Sequence, residues 1–321
     1  MAVLVTGASG FLGGALVKRF AGAHDVRATG RNAQRLSRLE RAKHLPLDLR
    51  NREAVLGDAG FDGVKTIIHC AALSSPWGPR AGFKAANVEA TNHVIELAQK
   101  LAVDHLIFVS SPSVYFRFED QLCVVEDQAL PPPVNDYAAT KAEAERLVKA
   151  SGVPWTILRP RGLYGAGDTA LLPRVVRAAK AGPLPLFRDG VAATDITHID
   201  DVVAAVETMM ENPVAAQGQA FNVSGGTALP IKDVVERVCA IEGIDLSWRR
   251  VPVGLALALV RAGEVVARLK SGQPEPRVTA YGLGIFAYSQ TLDLSKIAAR
   301  LGWHPQVGFE EGLARTYGGS Q

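Results

Sequence analysis

An apolar, strand-like run from Ala2 to Thr6 passes directly into the turn TGASGFLG and then into a helically spaced stretch, Phe11 to Gly22. A strand that hands over to a helix within a few residues needs a backbone able to reverse tightly, and Gly7, Gly10 and Gly13 recur at every third position there. One glycine permits the turn, one lets main chain approach a ligand with no Cβ between, and one lets the helix pack closely on the strand. The helix then directs its unpaired N–H groups and the positive end of its dipole at the turn, which suits a phosphate. The segment predicts a dinucleotide whose pyrophosphate lies on Gly7, Ser9, Gly10, Phe11, Leu12 and Gly13. The spacing is G-x-x-G-x-x-G, a variant of the usual G-x-G-x-x-G.

Beyond the turn the pattern repeats. Short apolar runs at Asp25–Thr29, His44–Leu47, Thr66–Ala71, His105–Ser110 and Trp155–Leu158 alternate with helical stretches at Ala81–Leu101 and Asp136–Ser151. Fully apolar strands separated by helix-length crossovers predict an α/β fold built on a doubly wound parallel sheet. After Arg159 the rhythm loosens into RPRGLYGAGD, a helix near Thr169–Lys180, a strand-like Asp195–Ile199 and FNVSGG at Phe221. Residues 1–160 are therefore expected to form the dinucleotide-binding domain, with 190–212 returning to it. Residues 161–321 should form mainly a smaller, interleaved C-terminal lobe that binds substrate. Val253–Leu269 is apolar but carries Arg261, Glu264 and Arg268. It is too short and too charged for a bilayer span, and predicts a packed amphipathic helix or, alternatively, a lid or peripheral membrane contact.

Composition narrows the classes. The 321 residues are 48% hydrophobic and 21% charged with a net charge of +3, which fits a globular enzyme-sized chain and gives no basic surface for nucleic acid. MAVLVTG lacks a basic secretory n-region, so a cytoplasmic location is expected. Cys70, Cys123 and Cys239 are odd in number and far apart, which predicts unpaired thiols, and no metal is assigned. His69 and His198 lie in apolar strand-like runs and are expected to be hydrogen-bonded structural histidines.

In DYAATKAEAERLVKA, Tyr137 and Lys141 stand four residues apart on a helix, hence on one face. A free phenol has a pKa of about 10, and a neighbouring ammonium would favour its anion and fit it for acid–base work. At the end of the second strand, ATGRN places Arg31 and Asn32, with Arg35 beyond, where a binder of the unphosphorylated ribose would carry an acid. That favours NADP, with NAD possible. Asp48, followed by Leu49, is placed to meet the adenine.

The ordered motifs TGASGFLG, CAAL at Cys70, NVEAT at Asn87, VSSPSVY at Val109, YAATK at Tyr137, LRPRGLYGAGD at Leu158 and HIDDV at His198 resemble the extended short-chain dehydrogenase/reductases from end to end. The resemblance implies a Rossmann fold, Ser111 as the hydroxyl facing the substrate carbonyl, Tyr137 as acid/base, Lys141 on the nicotinamide ribose and Asn87 as a structural or proton-relay residue. It further implies cofactor contacts from Ala71, Ala72, Leu73, Ser110, Pro160, Gly162 and Leu163. Phe116 replaces the glycine common in sugar-nucleotide epimerases. That change, SSPWGPRAGF, PPPVNDYAATK and the apolar segment at Val253 resemble the 3β-hydroxysteroid dehydrogenase-like branch, which includes 2-alkyl-3-oxoalkanoate reductases. Trp77, Pro112, Ser113, Tyr115, Phe116 and Tyr164 become candidates for an apolar substrate wall, and Arg161 for a substrate carboxylate, with a structural ion pair as its alternative. The expected function is reduction of a hydrophobic ketone or oxidation of the matching alcohol. Arg188, at a position some sugar enzymes use for a diphosphate, keeps a nucleotide-sugar epimerase or dehydratase as the alternative, and a non-catalytic redox sensor is a third. The resemblance also allows a homodimer through Ala81–Leu101 and Asp136–Ser151, whose apolar faces would equally serve to cover the sheet.

Overall fold

The structure, a computed structural model, describes residues 1–318. Its main layer is a seven-stranded parallel sheet, and six strands are the apolar runs of the sequence: β1 (Ala2–Thr6), β2 (Asp25–Gly30), β3 (Lys43–Pro46), β4 (Thr66–His69), β5 (His105–Val109) and β6 (Trp155–Pro160). The seventh, β7 (Gln219–Val223), contains the FNV that the sequence pattern grouped with the second half. It pairs with β6 at the edge, Phe221 opposite Leu158. The strand order is β7-β6-β5-β4-β1-β2-β3. Order reverses between β1 and β4, and the crevice above the carboxyl ends at such a switch point is where open α/β sheets bind ligands.

Alternate residues of each strand feed two cores. Val3 and Val5 pack with α1 (Phe11–Phe20) and the later helix Ile199–Glu211 on one face, whereas Leu4 packs with α2 (Ala90–Leu101) and α3 (Asp136–Lys149) on the other. The predicted helix Ala81–Leu101 is broken. A turn of helix at Arg80–Phe83 leads into a π-helical stretch, Lys84–Glu89, before α2 begins. The expected strand at Asp195–Ile199 shrinks to Thr197–His198, paired with Leu163–Tyr164. The helix Ser295–Leu301 also joins the first of these cores, with Ile297 and Trp303 buried in it. The short strands Gln121–Val124, from the first half, and Ala193–Thr194, Leu229–Pro230 and Gln290–Leu292, from the second, form a small separate sheet. The apolar segment forms α4 (Val253–Leu269), which packs against α5 (Ala280–Ala287). Among the described residues no helix is long and apolar enough to cross a membrane.

Candidate active site

The glycine turn sits at the switch point. Gly7 adopts φ +65°, and a Cβ there would stand 2.8 Å from the Ala71 nitrogen on the loop after β4. A Cβ on Gly13 would come within 2.4 Å of the Gly7 carbonyl oxygen, so close packing of helix on turn demands glycine. Helix α1 has no side-chain cap and no carboxylate in its first turn. Its N–H groups and dipole are thus left for an anion, and an uncapped helix end in a cradle that side chains would fill fits a dinucleotide pyrophosphate. Thr6 Oγ1 accepts from the Ala71 N–H at 3.2 Å, fixing the Ala71–Leu73 loop beside the turn. Gly162, at φ +54°, lies against Ile196 just after β6, between Pro160 and Leu163. Gly30, which the motifs did not single out, closes the other side: a Cβ there would meet Ser9 Oγ at 2.7 Å.

At the end of β2, Arg31 is exposed and has no carboxylate within ion-pair reach among the described residues. Asn32 caps the next short helix, its Oδ1 accepting from Arg35 N–H at 2.9 Å. Asp48 is held by Arg50, whose guanidinium keeps the carboxyl below its usual range despite partial burial. Leu49 is buried in the core, and its carbonyl pairs with His93 Nδ1 at 2.8 Å.

The catalytic candidates converge at the carboxyl end of β5. Ser111 opens the 3-10 turn Pro112–Tyr115, its hydroxyl accepting from Ser113 N–H at 3.2 Å. Tyr137 lies in the first turn of α3; burial raises its phenol pKa, while hydrogen bonds from Ser74 and Ser111 pull the other way. Ser74 was not foreseen, because it comes from the loop after β4 and no motif marks it. Lys141 is one turn on, with its Nζ donating to the Val109 carbonyl at 2.5 Å and standing 4.1 Å from the Phe108 ring centre. Burial brings its pKa down to about 8, and the ammonium is not among the groups acting on the phenol. Asn87, in the π-helical stretch, accepts from Leu73 N–H at 2.6 Å and donates to Thr140 Oγ1 at 3.1 Å. It ties the cofactor loop to the catalytic helix. Ser110 is buried at the strand end, its N–H donating to Leu158 O at 2.7 Å. His69 bridges Thr6 and Thr91, and burial drops its pKa to about 3, so it stays neutral.

Several substrate candidates lie elsewhere than the motif reading placed them. Tyr115 is wholly buried, its hydroxyl donating to Asn222 Oδ1 at 3.0 Å and accepting from Arg159. Tyr164 is also core, edge-on to His198 and Phe309. Pro112 and Ser113 are buried in the turn that positions Ser111. Arg161 forms the ion pair of its alternative reading: Nε lies 3.1 Å from Asp195, and Nη1 donates to Gln290. Arg188 is paired in fork fashion with Asp120, at 2.7 and 2.6 Å, so its guanidinium is already engaged by a carboxylate. Trp77 is buried beside α4 and the segment that follows it. Its Nε1 donates to the Gln273 carbonyl at 3.0 Å and Arg268 lies 4.7 Å from its ring centre. Phe116 is buried edge-on to Tyr281, 5.1 Å between ring centres, and Tyr281 is close enough to Tyr137 and Arg161 for their charges to act on it. Tyr281 was invisible to motif reasoning because α5 is far away in the chain.

A family model described as "NAD dependent epimerase/dehydratase family" matches residues 3–224. The chain belongs to that family. It is 30% identical to the 2-alkyl-3-oxoalkanoate reductase of Shewanella oneidensis over 97% of this chain and 84% of the relative. It is 31% identical to 3beta-hydroxysteroid-dehydrogenase/decarboxylase isoform 1 of Arabidopsis thaliana, over 86% and 66% of the two chains. In fold it is similar to DesIV, the dTDP-glucose 4,6-dehydratase of Streptomyces venezuelae solved with NAD and TYD bound, with a TM-score of 0.77, 24% identity and coverage of 100% and 98%. As a member of the epimerase/dehydratase family with reductases and dehydrogenases among its relatives, the chain is a nicotinamide-dependent oxidoreductase acting at a CH–OH carbon.

Proposed function

We propose that the chain is an NADP(H)-dependent reductase or dehydrogenase that interconverts a ketone and a secondary alcohol on a hydrophobic substrate of the 3-oxo/3-hydroxy acid or 3β-hydroxysteroid type. The observation that carries this is the junction of Tyr137, flanked by the Ser74 and Ser111 hydroxyls, with an aromatic wall of Phe116 and Tyr281. Ser111 donates to the carbonyl oxygen and polarises it, and Tyr137 delivers the proton as that oxygen becomes a hydroxyl. When bound, the nicotinamide supplies the hydride or accepts it. Lys141, whose ammonium donates to the Val109 carbonyl, would hold the nicotinamide ribose if the family arrangement applies. The relatives that act on 3-oxoalkanoates and sterols support an oily ketone. The engagement of Arg188 by Asp120 and the phenylalanine at position 116 weigh against a nucleotide sugar.

NADP is favoured by Arg31, an exposed cation that forms no ion pair among the described residues, although its charge reaches Asp48, and that stands where an NAD site would present an acid. Arg31→Ala should lower affinity for NADPH by roughly tenfold or more, as loss of a charged phosphate contact does, and leave NADH binding nearly unchanged. Equal effects on the two nucleotides would return the choice to NAD. For the reaction, NADPH is mixed in turn with a 2-alkyl-3-oxo acid, a 3-ketosteroid and a UDP-sugar while nicotinamide absorbance is followed. Consumption with an oily ketone is expected. Turnover confined to the UDP-sugar, or none with any substrate, overturns the proposal.

A further inference from the structure

Helix α4 has two apolar faces. On the inner one, Leu257 and Ala267 are buried, and Val253, Ala256 and Val260 pack with Phe187 and Leu283. The outer one is open: Leu255, Leu259, Val266 and Leu269 are 60%, 65%, 53% and 83% exposed. With Ala262 they recur at alternating intervals of four and three residues, which is a single stripe along a helix. An ordinary surface helix is polar on that side. Cations border the stripe. Between residues 249 and 278 stand Arg249, Arg250, Arg261, Arg268, Lys270 and Arg277 against only Glu264 and Glu275; Arg250 lies 3.4 Å from Asp189, Arg268 pairs with Asp136, and Glu264 accepts from the Ala280 N–H at 2.8 Å. The helix also reaches the active site, because Arg268 donates at 3.1 Å to Asp136, the residue before Tyr137.

We propose that the outer face of α4 docks on an anionic lipid bilayer. The helix lies in the plane of the interface, its leucine and valine stripe among the acyl chains and Arg249, Lys270 and Arg277 at the headgroups. A second copy of the chain fits this face poorly. Antiparallel pairing about a two-fold axis would set Arg249, ahead of one helix, against Lys270 and Arg277, beyond the end of the other, like charge on like. Anionic headgroups turn the same charges into attraction. Docked in this way, the end of the helix that carries Arg268 is held at the lipid surface, and the Arg268–Asp136 contact ties it to the first turn of the catalytic helix.

The test floats the full chain with phosphatidylcholine vesicles, with and without phosphatidylglycerol. Wild type should rise with the anionic vesicles, do so less as salt increases, and stay below with the neutral ones. L255D/L259D should bind the anionic vesicles roughly tenfold more weakly or worse, as the loss of two buried leucines implies, while its circular dichroism and NADPH affinity remain those of wild type. Wild type that stays below with anionic vesicles, or a double variant that floats as well as wild type, overturns the proposal. So does a dimer in scattering measurements that L255D/L259D converts to monomer without any vesicle binding, since the stripe then joins two copies.

Discussion

Tyr137 is a buried phenol whose pKa is raised by burial and only partly restored by Ser74 and Ser111. A protonated phenol is the form that reduction needs, so the reduction rate should hold level through neutral pH. Oxidation needs the anion, and should climb as the solution is made alkaline. Tyr137→Phe keeps the ring and removes the proton, and turnover in either direction should fall by about 10² to 10⁴-fold with NADPH affinity intact. A variant with wild-type kcat would remove Tyr137 from the chemistry. Two buried histidines set a different pH dependence. Burial lowers the pKa of His69 to about 3 and that of His105 to about 4. Both are neutral in the folded chain, whereas an unfolded histidine takes up a proton below about pH 6.5. Their contribution is therefore complete above that pH and is lost as acid is added, on the order of 2 kcal/mol for each by pH 5. Denaturant titrations at pH 7 and pH 5 that give equal stability would contradict this. At this scale local spacing put Tyr137 and Lys141 on one face of a helix, and the family resemblance added Ser111. The fold brings Ser111 to the phenol, whereas the ammonium expected to act on that phenol donates to the Val109 carbonyl instead. The sequence was not readable for Ser74 or Tyr281, which reach the phenol through tertiary contacts. Tyr115 and Tyr164 misled because an aromatic residue near a motif looks the same whether it faces a cleft or the core; Tyr115 finds its acceptor on Asn222, far along the chain.

Among elements, the first strand–turn–helix unit was the most legible, since each glycine is required by an atom close by. Gly13 makes the sharpest case. Its added Cβ would meet Gly7 O at 2.4 Å and Gly7 C at 2.7 Å, both backbone, so no side chain can yield and the turn itself must shift. Gly13→Ala should cost about 1–3 kcal/mol of stability, as overpacking does, and weaken NADPH binding further because the same turn carries the phosphates. Gly22→Ala, where nothing lies within 4 Å, serves as the matched control in a thermal melt and a nucleotide titration. Should Gly13→Ala bind NADPH as wild type does, the turn is not the phosphate cradle. Apolar runs bounded by turn residues located six strands, but QAFNV is separated from its partner β6 by the second lobe, and pairing across such a distance leaves no local trace. The π-helical stretch was hidden for a related reason: its widened turns average into a helical period over the longer Ala81–Leu101 window.

At the scale of the molecule, the main sheet, the catalytic helix and the small second sheet meet in one buried polar network. Glu145 lies on the face of α3 that carries Tyr137 and Lys141, one turn further along, and pairs with Arg159 of β6, Nε to Oε1 at 2.8 Å, with each side chain 1% exposed. Arg159 donates onward to the Glu126 carbonyl at 3.1 Å and to Tyr115, while Asn222 of β7 donates from its N–H to Glu126 Oε1 and from Nδ2 to Val124 O, each at 2.8 Å. None of this was legible beforehand, since the six residues share no motif. Burial opposes ionisation of Glu145, yet Arg159 outweighs it and holds the carboxyl below its usual range. The pair therefore stabilises the fold above the ordinary carboxylate pKa, and that contribution goes as pH falls through the depressed value. Glu145→Gln keeps the shape but leaves the Arg159 charge buried without a counter-ion, and should cost about 3–5 kcal/mol. Replacing both partners, as Glu145→Leu with Arg159→Met, removes the uncompensated charge along with the pair and should unfold at a higher denaturant concentration than the single glutamine variant. If the single variant matches wild type, or the double variant is the weaker of the two, the network does not join the sheets through this charge pair.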